Sequence, residues 1–111
     1  MSRIEIIELP RIYDPRGSLS VAEENTHIPF DIKKVEWNRI GAIQPDAPIE
    51  LGESPMMLIA LAGEITVQVI DEEARTITLN RPNQALVLKK GCRSRITHST
   101  RQSLLLTIHQ K

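Results

Sequence analysis

Residues 65–70 read Ile-Thr-Val-Gln-Val-Ile, and this stretch decides the fold class. Aliphatic side chains stand at its first, third and fifth positions and alternate with the others, which is the period of a strand with one buried face. Residues 63–64 and 71–73 carry Gly, Asp and Glu and indicate turns on both sides. The segments 56–62 and 75–79 are therefore expected to pair with this strand in an antiparallel meander.

Further short runs of the same kind predict strands elsewhere in the chain. Bounded by Pro, Gly, Asp, Asn or Lys, they lie at residues 4–9, 19–23, 33–37, 84–88 and 103–108. This spacing is typical of a β-sandwich or barrel. No stretch keeps an apolar period of 3.6 residues over three turns, and the seven prolines also argue against helices. The sequence therefore predicts an all-β fold in a single domain, residues 1–111.

Composition and charge exclude several classes of function. Fourteen Lys and Arg balance fourteen Asp and Glu, so no net positive charge attracts nucleic acid. The longest apolar run, residues 56–62, is too short to span a membrane. The N-terminus has no signal-peptide pattern, and the single cysteine, Cys92, cannot form an internal disulfide. We therefore expect a cytoplasmic protein without nucleic-acid or membrane partners.

The N-terminal third carries a specific pattern. Residues 14–19 read Asp-Pro-Arg-Gly-Ser-Leu, residues 23–25 read Glu-Glu-Asn, and residues 29–35 read Pro-Phe-Asp-Ile-Lys-Lys-Val. This pattern resembles the N-terminal signature of the dTDP-sugar 3,4-ketoisomerase (WxcM-like) family of small cupins, and residues 58–67 resemble the family's central hairpin. The resemblance implies a cupin-type double-stranded β-helix, or jelly-roll barrel. It also implies a homodimer that binds a thymidine-diphosphate sugar and moves its 4-keto group to C3 through an enediol.

The resemblance places that family's proton transfers around a His-Ala-His motif, which this chain lacks. An ungapped count back from Gly63 puts the motif on Ile49, Glu50 and Leu51. Because strand residues alternate between faces, Ile49 and Leu51 are expected to line the barrel while Glu50 points away from it. Glu50 is therefore a poor substitute base, and the catalytic residues, if any exist, are unknown.

The chain's only histidines are His27, His98 and His109, so no shift of register creates a His-x-His sequence. Cupin metal sites also need two neighbouring histidines, and we therefore expect neither a metal site nor another cofactor. A loop position is expected for His27, a polar turn for His98 and an outward-facing strand position for His109. Cys92 is expected to be a small buried hydrophobe rather than a nucleophile.

Five residues are expected to contact a small-molecule ligand, and they are Arg16, Trp37, Ile49, Leu51 and Arg93. Arg16 lies in the surviving part of the signature and can present its guanidinium to a phosphate, or it can brace a turn through an ion pair. Trp37 can stack on a base or sugar, or pack in the core. Arg93 shares a strand face with Arg95, where the two can hold a diphosphate or keep an outward edge strand soluble.

Three functions are compatible with this sequence. The leading hypothesis is a ketoisomerase-like cupin that has lost the reaction and binds a nucleotide sugar or another carbohydrate-related ligand. The second is an active isomerase that uses an unexpected acid or base, such as His98 or Glu53. The third is a structural or regulatory homodimer without a ligand, in which side chains fill the barrel; an open pocket with converging polar groups would count against it.

Overall fold

The computed structural model describes residues 4–9, 11–14, 17–20, 31–44, 46–53 and 55–110, and for 11–14, 17–20 and 53 it describes the backbone only. These residues form eleven β-strands, which are β1 Ile4–Glu8, β2 Arg11–Asp14, β3 Gly17–Ser20, β4 Ile32–Ile40, β5 Ile49–Glu53, β6 Met56–Ala62, β7 Ile65–Ile70, β8 Ala74–Leu79, β9 Gln84–Leu88, β10 Arg93–Ser99 and β11 Ser103–Gln110. The all-β prediction is confirmed. No helix long and apolar enough to cross a membrane is found among the described residues.

The strands form two facing sheets and a separate hairpin. One sheet has five strands in the order β1-β9-β6-β11-β4, and the other has four in the order β5-β10-β7-β8. Within the described ranges β2 pairs with β3 alone, and every strand pair is antiparallel. In the five-stranded sheet β11 lies between β6 and β4, so it is an interior strand, whereas β4 is the last strand at its end of the sheet among the residues that the structure describes.

The main core fills the space between the two sheets. β7 contributes Ile65, Val67 and Val69, all fully buried, and its other side chains are only half-buried, as the period of two predicted. Leu58 of β6 and Leu86 of β9 approach from the opposite sheet. Burial of such side chains is worth about 1.5 to 3 kcal/mol each, so this layer stabilises the fold.

A second apolar cluster covers the outer face of the five-stranded sheet. Met57, Ile59 and Val87 are buried there, and Ile108 of β11 belongs to the same cluster. β6 and β11 are thus packed on both faces, which explains why residues 56–60 form a continuous apolar run rather than an alternating one.

The expected meander is only half right. β7 pairs with β8, as predicted, but its other neighbour is β10, while β6 crosses into the five-stranded sheet. The chain changes sheets at Gly63, whose φ of 76° suits glycine. A Cβ at Gly63 would also clash with Ser103 and Thr100. β6 lies between β9 and β11, and its two faces are covered by the core between the sheets and by the outer cluster.

Candidate functional site

An open cavity of about 500 Å³ lies between the two sheets at one end of the barrel. β4 and β11 of the five-stranded sheet form one side, and β5 and β10 of the four-stranded sheet form the other. Residues 41–43 close it next to β4, where Ile43 pairs with Ser99 at the end of β10. This volume is in the range typical of small-molecule sites, about 300 to 1,000 Å³.

The side formed by β5 and β10 is an apolar wall. Ile49, Leu51 and Ile96 line it. Ile49 is 48% exposed even though it faces the cavity, so this wall is open to solvent. Glu50 lies on the opposite face of β5, where its Oε1 is 3.3 Å from Nε of Arg95. Ile49 and Leu51 thus face the cavity as expected from strand alternation, while their contact with a ligand stays a prediction.

The side formed by β4 and β11 carries a polar wall. Glu36 and Asn38 reach the cavity from β4, and Thr107 and His109 reach it from β11. Nε2 of His109 lies 2.6 Å from Oε1 of Glu36, which is a short hydrogen bond. An ionised carboxylate can only accept, so the imidazole N–H donates. The cavity is therefore apolar on one side and polar on the other.

Glu36 is held in its ionised form. The hydrogen bond from His109 lowers the pKa of Glu36, partial desolvation opposes this, and the positive charge of Lys34 lowers it further. Nζ of Lys34 is 3.9 Å from Oε1 of Glu36. The wall therefore presents a negatively charged acceptor together with an imidazole, a pair able to accept hydrogen bonds from hydroxyl groups or to move a proton.

The structure corrects the expected position of Trp37. Its side chain is 66% exposed and does not line the cavity. In the register of β4 and β11, Trp37 is opposite Leu106, a member of the outer cluster. Because Glu36 and Asn38 face inward, alternation turns Trp37 outward. The prediction that Trp37 lines the barrel mouth is therefore wrong.

Arg93 also lies outside the cavity. Ser94 and Ile96 are buried, so Arg93 and Arg95 point to the outer face of β10. The outward reading of these arginines is correct, but β10 is not an edge strand, because it lies between β5 and β7. Arg16 lies outside the described residues, and its role stays a prediction.

Two of the expected histidine positions are wrong. His98 belongs to β10, opposite Thr66 and next to a bulge, and is not in a polar turn. His109 faces the cavity rather than the outside. His27 lies outside the described residues. Cys92 is buried in the core between the sheets, as expected of a small hydrophobe.

The Glu36–His109 pair was missed because alternation on β11 is ambiguous. An inward-facing Ile108 would turn His109 outward, which is the position that the sequence predicts. In the structure Ile108 packs in the outer cluster, and the inner face carries Leu105, Thr107 and His109. The available signal was the polar spacing on both strands, Glu36 to Asn38 and Thr107 to His109. This spacing indicates a polar inner face only if the apolar residues of β11 are known to pack on the outer face of the sheet.

No three His, Cys, Asp or Glu side chains lie close enough to hold a metal ion in the part of the chain that the structure describes. The expectation that the protein lacks a metal site stays a prediction.

Comparisons with known proteins show which family this chain and its fold are similar to. A model of the WxcM-like, C-terminal family (FdtA) matches residues 2–111. No match is found among curated proteins. A double mutant of the QdtA 3,4-ketoisomerase from Thermoanaerobacterium thermosaccharolyticum, solved in complex with TDP, is 25% identical with a TM-score of 0.84, covering 97% of this chain and 80% of that chain.

Two further solved structures extend the comparison. The WlaRB TDP-quinovose 3,4-ketoisomerase from Campylobacter jejuni is 28% identical with a TM-score of 0.83, covering 97% of this chain and 85% of that chain. A dTDP-6-deoxy-D-glucose-3,5-epimerase from Legionella pneumophila is 12% identical with a TM-score of 0.77, covering 97% and 66%, and shows the fold alone. The predicted cupin-type fold is confirmed.

Proposed function

The chain belongs to the WxcM-like, C-terminal family, and from this premise we propose that its cavity binds a nucleotide sugar without catalysing the 3,4-keto shift. The observation that carries the proposal is the open cavity of about 500 Å³ with one apolar and one polar wall. A similar protein, QdtA, has been solved with TDP bound. The ligand proposed here is of the same class, a dTDP-sugar or a related carbohydrate derivative.

The proposed loss of the isomerase reaction is supported by the apolar wall. The ungapped count aligns the family's two histidines with Ile49 and Leu51, which line the cavity and carry no titratable group. The middle residue of the motif falls on Glu50, which lies on the outer face beside Arg95. The chain has no His-x-His sequence anywhere. A proton transfer between C3 and C4 would therefore need other residues.

A thermal-shift titration with dTDP, dTDP-glucose and UDP-glucose tests the binding. A ligand that binds only the folded state adds about 2.7 kcal/mol at 100 times its dissociation constant, which raises the melting temperature measurably. We expect a shift with dTDP and dTDP-glucose. If none of the three nucleotides shifts the transition, the proposal fails. Turnover of a dTDP-4-keto-6-deoxy sugar that is abolished by changing one cavity residue would contradict the proposed loss of the reaction.

A second candidate function is an isomerase with unexpected acid and base groups, and the Glu36–His109 pair is the observation that favours it. His98 does not line the cavity, and the Glu53 side chain lies outside the described residues. This candidate predicts a bell-shaped pH profile of turnover that Glu36→Gln removes. The absence of turnover in the unmodified protein would exclude it.

We also propose that the chain forms a homodimer. Val35 and Trp37 are 42% and 66% exposed on the outer face of β4 and continue the outer apolar cluster. Exposed apolar surface of this kind typically marks an interface. Light scattering is expected to give a dimer that Trp37→Lys dissociates, and a monomeric unmodified protein would contradict this.

A ligand-free structural dimer is disfavoured, because the cavity is open and polar groups converge on it. The cytoplasmic location stays a prediction.

A further inference from the structure

The polar wall of the cavity is concentrated in a small area. Thr107 lies directly opposite Glu36 in the β4–β11 register, and Asn38 lies opposite Leu105. Directly opposite side chains in such a pair are about 5 Å apart, and diagonal neighbours are about 7 to 8 Å apart. Hydrogen-bonding groups from both strands are thus spread over a length comparable with one hexopyranose ring. The facing wall, with Ile49 and Leu51, offers no hydrogen bond from its side chains.

This asymmetry matches the two sides of a sugar ring. A pyranose has C–H groups that form an apolar face and hydroxyls that project from its edge. The apolar wall can cover the C–H face while the polar wall receives the hydroxyls. A nucleobase would offer this wall fewer hydroxyl donors than a hexopyranose does.

The charge on the polar wall further separates a sugar from a diphosphate. The Glu36 carboxylate is ionised, and its Oε1 already accepts the hydrogen bond from His109. The lone pairs of Oε2 are then suited to hydroxyl donors and repel phosphate oxygens. Among the described residues that line the cavity, the exposed Arg39 of β4 is the one Lys or Arg side chain. The diphosphate is therefore expected to stay away from Glu36.

We infer that Glu36, oriented by His109, is the sugar-selecting residue of the cavity: it accepts hydrogen bonds from hydroxyls of a hexopyranose whose C–H face lies against Ile49 and Leu51. This inference rests on the proposed function, and it names the part of the ligand that the cavity recognises. His109 is a positioning residue, because it acts by fixing the carboxylate with its N–H. The role of Glu36 is in binding, so it does not depend on turnover.

Calorimetric titration of the full chain with dTDP and with dTDP-glucose tests the inference. The ratio of the two dissociation constants gives the contribution of the sugar. In the unmodified protein we expect dTDP-glucose to bind about tenfold more tightly than dTDP, as a hydrogen bond to a charged group permits. Glu36→Gln is expected to remove this difference by weakening the binding of dTDP-glucose. Glu50→Gln is the matched control, since Glu50 is an ion-paired carboxylate outside the cavity.

Two variants of His109 test its positioning role. Gln can donate a hydrogen bond to Glu36 from a similar distance, whereas Leu cannot. We expect His109→Gln to retain most of the preference for dTDP-glucose and His109→Leu to lose it. A purely structural role would predict that both variants behave alike. Circular dichroism and thermal melts establish that each variant is folded.

The outcomes separate the failure of this inference from the failure of the proposed function. If the unmodified protein binds dTDP but the glucose adds nothing, or if Glu36→Gln and Glu50→Gln have the same effect, the inference is overturned and nucleotide binding stands. If the protein binds neither compound, both are overturned. Selective loss of the glucose contribution in Glu36→Gln supports the inference.

Discussion

The hydrogen bond between His109 and Glu36 runs diagonally across the β4–β11 pair. In the register of these strands His109 is opposite Lys34, and Glu36 is opposite Thr107. Nε2 of His109 nevertheless lies 2.6 Å from Oε1 of Glu36, because long side chains reach diagonal neighbours on the same face. The bond links the last strand of the sheet to an interior strand at the edge of the cavity.

Removal of the imidazole should change the titration of Glu36. The hydrogen bond from His109 is the largest cause of the lowered pKa of Glu36, so His109→Leu is expected to raise that pKa towards its ordinary value of 4.5. Carboxyl ¹³C chemical shifts followed by NMR against pH measure it. Lys34→Gln is the control, with a smaller rise, because Lys34 is a weaker contributor. An unchanged Glu36 pKa in His109→Leu would contradict the assignment.

The same shift predicts how acid affects stability. The pKa of Glu36 is lower in the folded chain than in the unfolded chain, where it has its ordinary value of 4.5. Ionised Glu36 therefore stabilises the fold fully at pH values above 4.5. This contribution is lost as the pH falls through the lowered folded pKa. Because the side chain is 43% exposed, we expect at most about 1 kcal/mol. Urea unfolding of the unmodified protein and of Glu36→Gln, at neutral pH and below the folded pKa, should show a difference that vanishes in acid.

The crossing between the sheets should be sensitive to a single methyl group. Gly63 has a φ of 76°, and a Cβ there would clash with Ser103 and Thr100. Gly63→Ala is expected to lower the free energy of unfolding by about 1 to 3 kcal/mol. Gly41→Ala is the matched control, because a Cβ at Gly41 meets no atom within 4 Å. Equal urea midpoints for the two variants would argue against strain at Gly63.

The apolar wall can be tested separately from folding. Ile49 is 48% exposed, so Ile49→Asn is expected to change the free energy of unfolding by no more than about 0.5 kcal/mol. It should weaken binding of dTDP-glucose, because a polar side chain replaces the surface proposed to cover the sugar. Leu61→Asn is the comparison, since Leu61 is a similarly exposed aliphatic residue outside the cavity lining. Calorimetry in which both variants bind equally well would refute a ligand contact at Ile49.

The sequence predicted the strands best where only one face is covered. β7 shows strict alternation because its outer side chains remain half-buried, and its bounds were predicted correctly. β6 shows a continuous apolar run because both of its faces are packed, and a run of that kind does not indicate the neighbouring strand. The strands that pair with β6 are β9 and β11, and both are distant from it in sequence. The turn at residues 63–64 therefore does not indicate which strands pair with β6.

The candidate site shows the same limit. Ile49 and Leu51 were oriented correctly because the charged Glu50 between them marks the outer face of β5. Trp37 and His109 were oriented wrongly because β4 and β11 carry apolar side chains on the outer face as well as polar ones on the inner face. Where apolar residues also cover the outer face of a sheet, an aromatic residue does not indicate which face of its strand points to the barrel interior.

β11 has a consequence for how the cavity responds to distant changes. Its odd-numbered residues Thr107 and His109 face the cavity, and its even-numbered residues Leu106 and Ile108 pack in the outer cluster. The single strand β11 therefore separates the cavity from the outer apolar cluster. A substitution at Ile108 is therefore expected to alter the packing of the strand that carries His109. Affinity in the cavity is thus expected to respond to changes on the opposite side of the sheet, without contact with the ligand.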